Sequence, residues 1–119
     1  MARVLTQGQS KNLGLPGRRS LEMVSGETGS RAVTLRLVEI PVPAPGDAPR
    51  APHFHGDVEE CIYVLSGEGR TESDSGNHVL KPGDAILIPP GERHVTRNIG
   101  REPLVLLCFF PTARVSSAG

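Results

Sequence analysis

The segment HFHGDVEE, residues 53–60, is the starting point for interpreting the whole chain. Its two histidines, His53 and His55, are two positions apart. Residues two apart on an extended chain project from the same face, so both imidazole rings can reach one point. Imidazole nitrogens are suitable ligands for divalent first-row metal ions. The segment therefore indicates one part of a metal site carried by extended chain.

Two further residues are candidate ligands of the same site. Glu60 follows His55 by five positions, which on one continuous strand would place it on the opposite face. A bend or bulge at 56–57, where Gly-Asp stands, can return Glu60 to the interior. His94 must come from a different strand, after a turn rich in proline and glycine. The alternative is that each histidine is an ordinary surface or core residue, as we expect for His78, since short motifs alone often mislead.

The rest of the chain consists of short apolar runs separated by turn residues. Eleven prolines and fourteen glycines favour tight turns over helices. The proline-rich stretch 41–52 excludes a helix or a central strand and leads as a long loop into His53. About nine short strands without an amphipathic helix are typical of an all-β closed barrel or sandwich. We place these strands at 3–6, 20–25, 31–40, 61–65, 70–73, 77–81, 85–88, 93–98 and 104–110.

The strand predicted at 31–40 has two distinct faces. Val33, Leu35 and Leu37 share one face by the two-residue period, and Thr34 and Arg36 share the other. In a sheet that closes on itself, either face can be the inner one. The sequence leaves this choice open.

A chain of 119 residues is expected to form one domain. We expect an N-terminal arm at 1–20, where the only charged residues are basic, and a barrel domain at 21–115. The basic residues of the arm are interpreted as solvent-exposed rather than as a binding patch.

Two blocks of spaced residues resemble the paired motifs of the cupin superfamily of small β-barrel proteins. The first block reads Gly46, six residues, His53-x-His55, four residues, Glu60, six residues, Gly67. The second reads Gly83-x5-Pro89-x-Gly91-x2-His94-x3-Asn98 and agrees with the family pattern at every fixed position. The first departs from it by one residue between Gly46 and His53, which affects the course of the proline-rich loop more than the ligands.

The resemblance covers residues 46–98 and implies a double-stranded β-helix, also called a jelly-roll or cupin barrel, with little or no helix. It further implies that His53, His55, Glu60 and His94 bind one metal ion. The short spacing between the blocks resembles the small single-domain (cupin 2 type) members, which commonly form homodimers. Asn98 is expected either to face the site or to form hydrogen bonds at the end of its strand.

Composition bears on which partners and which location are expected. Lys plus Arg and Asp plus Glu both number 13, so the formal net charge is zero and gives no attraction to nucleic acid or anionic membranes. No apolar run approaches the roughly 18 residues of a membrane span, and the N-terminus lacks the apolar region of a signal peptide. We therefore expect a cytoplasmic protein with a small-molecule partner, and reduced, largely buried thiols at Cys61 and Cys108.

The predicted donor set favours an open site. Structural zinc sites are usually closed and sulfur-rich, whereas neither cysteine belongs to this group. Iron, manganese, nickel, copper and zinc all remain candidates, because imidazole does not select sharply among them.

The residues allow a metalloenzyme, a non-catalytic module that binds a small ligand, or a structural metal. The enzyme would be a dioxygenase acting on a small oxygen-bearing molecule, or an isomerase, decarboxylase or hydrolase that uses the metal as a Lewis acid. Candidate substrate contacts are Arg36, Tyr63 and Arg97, each with a surface or packing role as the alternative.

Overall fold

The computed structural model describes residues 1–116 as two antiparallel β-sheets that face each other. The larger sheet has the strand order β1-β2-β3-β9-β4-β7, and the smaller has the order β6-β5-β8. Short 3-10 turns at Gln7–Gln9 and Gly26–Thr28 are the helical elements of this part of the chain. The all-β double-stranded β-helix is therefore confirmed. The strands are β1 Lys11–Asn12, β2 Arg19–Val24, β3 Thr34–Ile40, β4 Glu60–Ser66, β5 Gly69–Ser73, β6 Gly76–Leu80, β7 Ala85–Ile88, β8 His94–Asn98 and β9 Leu104–Phe110.

The face of β3 that carries Thr34 and Arg36 points into the barrel. Thr34 is fully buried, and its hydroxyl donates a hydrogen bond of 2.7 Å to the carbonyl of Thr112. Arg36 lines the interior and forms a 3.1 Å ion pair with Glu22, its direct partner on β2. Both polar groups are satisfied inside the barrel, so the alternation can place them there. Leu35 and Leu37 consequently lie on the outer face, which answers the question that the sequence left open.

The apolar core is built by alternating residues of both sheets. In β4, Ile62 and Val64 are buried whereas Tyr63 and Leu65 are exposed, as the two-residue period requires. The core cluster consists of Val38, Ile40, Ile62, Val64, Leu80, Ile88, Leu104, Leu106, Cys108 and Phe110.

The turn between β4 and β5 requires the glycine predicted there. Gly67 has a φ of +85°, and a Cβ atom at this position would lie 2.6 Å from the carbonyl oxygen of Pro103. An L-amino acid would therefore be strained in its backbone and would clash with the chain that leads into β9. Gly67 therefore allows the β4–β5 turn to contact the backbone at the start of β9.

The first twenty residues contact the sheet along part of their length. Residues 3–6 form no strand, so that prediction is wrong, whereas β1 at Lys11–Asn12 pairs with β2. Leu13, Leu15 and Arg18 line the barrel interior. The division into an arm at 1–20 and a barrel domain at 21–115 stays a prediction.

Cysteine burial follows the strand faces. Cys108 is buried on the inner face of β9, whereas Cys61 is exposed on the outer face of β4, so the prediction of burial is wrong for Cys61. Both are free thiols.

Among residues 1–116, the chain forms no helix long and apolar enough to cross a membrane. The cytoplasmic location stays a prediction.

Candidate metal centre

His53 and His55 lie beside the edge of β8. The backbone N–H of His53 donates to the carbonyl of His94 at 2.9 Å, and the N–H of His94 donates to the carbonyl of His53 at 2.8 Å. This isolated bridge brings the ring centroids of His53 and His94 to within 4.5 Å of each other. The ring centroid of His55 lies 5.1 Å from that of His53. The two residues expected to share a face do present their rings to one region.

Glu60 reaches the same region from the start of β4. The chain bends at Gly56 and Asp57, and Glu60 then faces the interior together with Ile62 and Val64. The N–H of Gly91 donates to the carbonyl of His55 at 3.2 Å and so ties this bend to the turn that precedes β8. The expected bend therefore compensates for the odd spacing between His55 and Glu60.

The donor atoms of the four predicted ligands converge. One ligand atom from each of His53, His55, Glu60 and His94 lies within 4.8 Å of all the others. The carboxylate oxygen Oε1 of Glu60 lies 3.0 Å from Nε2 of His94 and 3.3 Å from Nε2 of His55. We refer to these four residues as the donor group. His78 stands apart from it, exposed on β6.

Backbone carbonyls orient two of the imidazole rings. Nδ1 of His94 lies 3.0 Å from the carbonyl oxygen of Glu92, and Nδ1 of His55 lies 3.3 Å from that of Ser116. A carbonyl oxygen only accepts hydrogen bonds, so Nδ1 carries the hydrogen in both contacts. Nε2 of each ring therefore faces the shared centre: with a hydrogen it donates to Glu60, and without one it offers its lone pair to a metal ion. Metal-binding histidines usually have such a partner on the second nitrogen.

The ionisation of the group follows from its burial and its contacts. Burial raises the pKa of Glu60, but hydrogen bonds from His55 and His94 outweigh this effect and hold the pKa at about 2. Burial lowers the pKa of His94, but its bonds to the Glu60 carboxylate and the Glu92 carbonyl leave the pKa raised overall. Burial, with the nearby rings of His94 and His55, lowers the pKa of His53 to about 4. The carboxylate is therefore charged and His53 is neutral at pH 7.

This donor group fits a divalent transition metal ion. Three imidazole nitrogens and one carboxylate oxygen suit iron, manganese, nickel, copper or zinc. Cys108 lines the same cavity but is not one of the converging donors, and burial raises the pKa of its thiol. The edge of the His55 ring also packs at 4.9 Å against Phe110, which restricts its rotation.

A cavity of about 400 Å³ opens beside the donor group. Of the predicted substrate contacts, only Arg36 lines it; Tyr63 is 44% exposed on the outer face, and Arg97 binds Glu72 at 3.0 Å outside the cavity wall. Arg18 and Arg50 also line the cavity, and neither was a predicted contact. Its wall is formed by Leu13, Leu15, Arg18, Ser20, Arg36, Val38, Ile40, Arg50, the donor group, Ile62, Thr96, Leu106, Cys108, Phe110 and Val115.

Asn98 has a structural role at the end of β8. Its Nδ2 donates to the carbonyls of Ile40 at 3.0 Å and Glu102 at 2.7 Å, and its Oδ1 accepts from the N–H of Gly100 at 2.8 Å. These hydrogen bonds join the end of β8 to the end of β3 and to the turn before β9. Of the two expected roles, Asn98 therefore has the second, which is to form hydrogen bonds at the end of its strand.

The family follows from comparison with known proteins. The sequence profile described as "Cupin domain" matches residues 42–110, and the chain belongs to this family. An uncharacterized protein of Methanocaldococcus jannaschii is 43% identical over 56 residues, which is 47% of this chain and 45% of that protein. The glucose-6-phosphate isomerase of Pyrococcus furiosus is 35% identical over 66 residues, which is 50% of this chain and 35% of the enzyme. The chain thus spans less than half the length of these curated relatives.

Solved structures support the same fold. A structure of Bacillus subtilis oxalate decarboxylase, determined in work on the Mn(II) centers of that enzyme, superposes with a TM-score of 0.79. The match covers 95% of this chain and 30% of the enzyme at 24% sequence identity. At this identity the similarity establishes the barrel architecture and leaves the reaction to be argued from the site.

Proposed function

We propose that the protein binds one divalent transition metal ion through His53, His55, Glu60 and His94 and acts as a metalloenzyme on a small oxygen-bearing organic molecule. The observation that carries the proposal is the convergence of four donor atoms within 4.8 Å beside a cavity of about 400 Å³. Ligand pockets usually enclose about 300–1,000 Å³, so this cavity suits a small molecule.

The residues of the chain prepare the site before any ligand arrives. The carbonyls of Glu92 and Ser116 hold two rings with Nε2 facing the centre, and the pKa of about 2 keeps Glu60 ionised. Apolar residues such as Ile62 and Leu106 line the cavity beside the donor group. A divalent ion bound there would supply Lewis-acid or redox chemistry to a ligand in the cavity.

Two reaction classes are proposed for this site. The first is dioxygenase-like oxidation, for which a redox-active metal such as iron, copper or manganese is required. The second is metal-dependent isomerisation or decarboxylation, and it is favoured by the 35% identity to a glucose-6-phosphate isomerase over half of the chain. A site that binds its ligand without converting it is the remaining alternative.

Metal content tests the ligand assignment. Protein purified without chelator should contain close to one transition metal ion per chain by elemental analysis, and His53→Ala and His94→Ala should contain close to none. His78→Ala is the matched control, because His78 is exposed and lies outside the donor group. Equal metal content in all four proteins would contradict the assignment.

Turnover in the presence and absence of oxygen separates the reaction classes. Oxygen consumption by the iron-, copper- or manganese-loaded protein with enediols, diketones or flavonols would support the dioxygenase. Anaerobic conversion of sugar phosphates or small carboxylic acids would support the Lewis-acid reactions. Binding without conversion in either series would support the non-catalytic alternative.

We also propose that the protein forms a homodimer through the outer face of the larger sheet. Leu87, Cys61 and Phe109 are adjacent across β7, β4 and β9, and Tyr63 continues this apolar face. Exposed apolar areas that are contiguous usually mark interaction surfaces. Light scattering should give a dimer mass for the wild type and a monomer mass for Leu87→Lys, while Val79→Lys on the other sheet should remain dimeric.

A further inference from the structure

Two arginines of the cavity wall have no carboxylate partner. Arg36 pairs with Glu22, as described above, but none of the ion pairs within residues 1–116 includes Arg18 or Arg50. Both side chains are half-buried. Partly buried positive charges are unfavourable unless an opposite charge compensates them. The two guanidinium groups therefore leave a positive charge on the cavity wall that the described chain does not neutralise.

The chain holds the two arginines close together. Gly17 packs against Arg50, since a Cβ atom on Gly17 would lie 2.9 Å from Cδ of Arg50. Gly17 also has a φ of +74°, so the absence of a side chain is required for both reasons. Arg18, the next residue, donates to the carbonyl of Pro16 at 2.9 Å. The two segments thus contact each other, and both arginines line the cavity.

Arg50 is fixed along the edge of β8. Its guanidinium donates to the carbonyl of Thr96, two residues after His94, and its own carbonyl accepts a 3.2 Å bond from Arg97. Arg97 is held in turn by Glu72. An arginine whose guanidinium is positioned in advance loses less conformational entropy when it binds an anion.

The charges interact with each other and with the donor group. Burial and repulsion from Arg18 and Arg97 lower the pKa of Arg50 to about 10. Burial also lowers the pKa of Arg18, which is affected by the charges of Arg36 and Glu60. The repulsion between Arg18 and Arg50 and the attraction of Arg18 to Glu60 agree with the position of all three residues on the wall of one cavity.

We infer that the ligand of this cavity is a small organic anion whose carboxylate or phosphate oxygens are bound by Arg18 and Arg50, while a second oxygen of the same molecule faces the donor group. The inference rests on the proposed function and adds the charge of the substrate to it. Arginine forms bidentate hydrogen bonds to carboxylate and phosphate alike, so both anions are included. The cavity volume of about 400 Å³ suits a molecule of a few carbon atoms.

Titration calorimetry with the manganese-loaded protein tests this inference. The probes are glycolate, phosphoglycolate, inorganic phosphate and, as the uncharged counterpart of glycolate, glycolamide. Arg18→Gln and Arg50→Gln should each weaken anion binding by about tenfold to a hundredfold, the usual range for a hydrogen bond to a charged group. Arg19→Gln is the matched control, because Arg19 is exposed and pairs with Glu39 at 3.3 Å. Tighter binding of phosphoglycolate than of glycolate would assign a phosphate ligand, and the reverse order a carboxylate.

Metal content and circular dichroism are measured on every variant. Retained metal and an unchanged spectrum in the arginine variants show that anion binding alone was removed, and Arg18→Gln carries the test if Arg50→Gln loses its fold. Binding of glycolamide as tight as that of glycolate, equal weakening by Arg19→Gln, or the absence of any anion binding would overturn the inference. A wild type without metal contradicts the proposed function instead, and an arginine-dependent titration of phosphate into that metal-free protein would still support the anion site.

Discussion

The two ends of the barrel interior are equally buried but chemically opposite. At one end, Val64 and Leu104 have no exposed surface; at the other, His94 is 2% exposed and Glu60 is 5% exposed. Strand β4 supplies both ends, with Glu60 at its start and Val64 four residues later. One strand therefore carries a buried residue of the apolar core and a buried residue of the donor group.

The difference shows how stability and function are separated within one small domain. Burial of an apolar side chain such as Leu104 stabilises the fold by about 1.5–3 kcal/mol. Burial of a carboxylate is unfavourable unless hydrogen bonds and opposite charge compensate it, and the two imidazoles do so for Glu60. The apolar end can be expected to determine stability, and the polar end to determine binding.

Truncation of the apolar end should give the largest effect on stability. Leu104→Ala should lower the free energy of unfolding by about 2–5 kcal/mol, because Leu104 is fully buried in the core cluster. Chemical denaturation measures this change, and metal content per folded chain should stay the same. Leu65→Ala, at an exposed position of the neighbouring strand, should change the free energy by less than about 0.5 kcal/mol. Equal effects of the two variants would contradict the assignment of the core.

Removal of the charge at the polar end should give a smaller effect on stability. In the metal-free protein at pH 7, Glu60→Gln should lower the free energy of unfolding by about 1–3 kcal/mol, because the charge-assisted bonds to His55 and His94 are lost. The same denaturation experiment, performed with a chelator, measures the change. Glu59→Gln is the control, since Glu59 is exposed. An increase in stability would show that the carboxylate is not compensated.

Truncation of the C-terminal segment should affect binding more than stability. Deletion of residues 115–119 removes the Ser116 carbonyl that orients His55, together with Val115, which packs against the core. Metal affinity should fall by about tenfold, as is usual for the loss of such an orienting partner. Competition with a chromophoric chelator measures the affinity. Deletion of residues 118–119 alone, which keeps a peptide carbonyl at Ser116, should leave it unchanged, and the same loss in both truncations would contradict the role of Ser116.

Acidification tests the polar end without any substitution. The pKa of His53 is lowered from 6.5 to about 4, so between these values the unfolded chain binds a proton that the folded chain does not. Stability of the metal-free protein should therefore decrease as the pH falls from about 6.5 to 4. His53→Gln should flatten this decrease, whereas His78→Gln should not. Identical pH profiles for wild type and His53→Gln would contradict the burial of a neutral ring.

Local pattern predicted the His53, His55 and Glu60 part of the donor group, whereas the inclusion of His94 came from the resemblance to the cupin motifs. The two-residue period placed His53 and His55 together, and the Gly56 bend explained how Glu60 returns to the interior. The pattern also grouped Thr34 with Arg36, but the choice of inner face depended on Glu22 and Thr112, which lie far away in sequence.

Two of the three arginines in the cavity wall, Arg18 and Arg50, could not be predicted from sequence pattern. The position of Arg18 depends on how the first twenty residues pack on the proline-rich loop, and that of Arg50 depends on Gly17, Thr96 and Arg97. Each contact joins segments that are distant along the chain, and no periodicity links them. Loop packing of this kind is decided by the whole fold.

X-ray absorption spectroscopy of the zinc-loaded protein tests the central claim most directly, that four side chains from distant segments bind one ion. We expect a shell of nitrogen and oxygen atoms at about 2.0–2.2 Å, with multiple scattering from three imidazole rings in the wild type and from two in His94→Ala. The His78→Ala spectrum should match that of the wild type. A wild-type spectrum without imidazole scattering, or one that His94→Ala leaves unchanged, would contradict the claim.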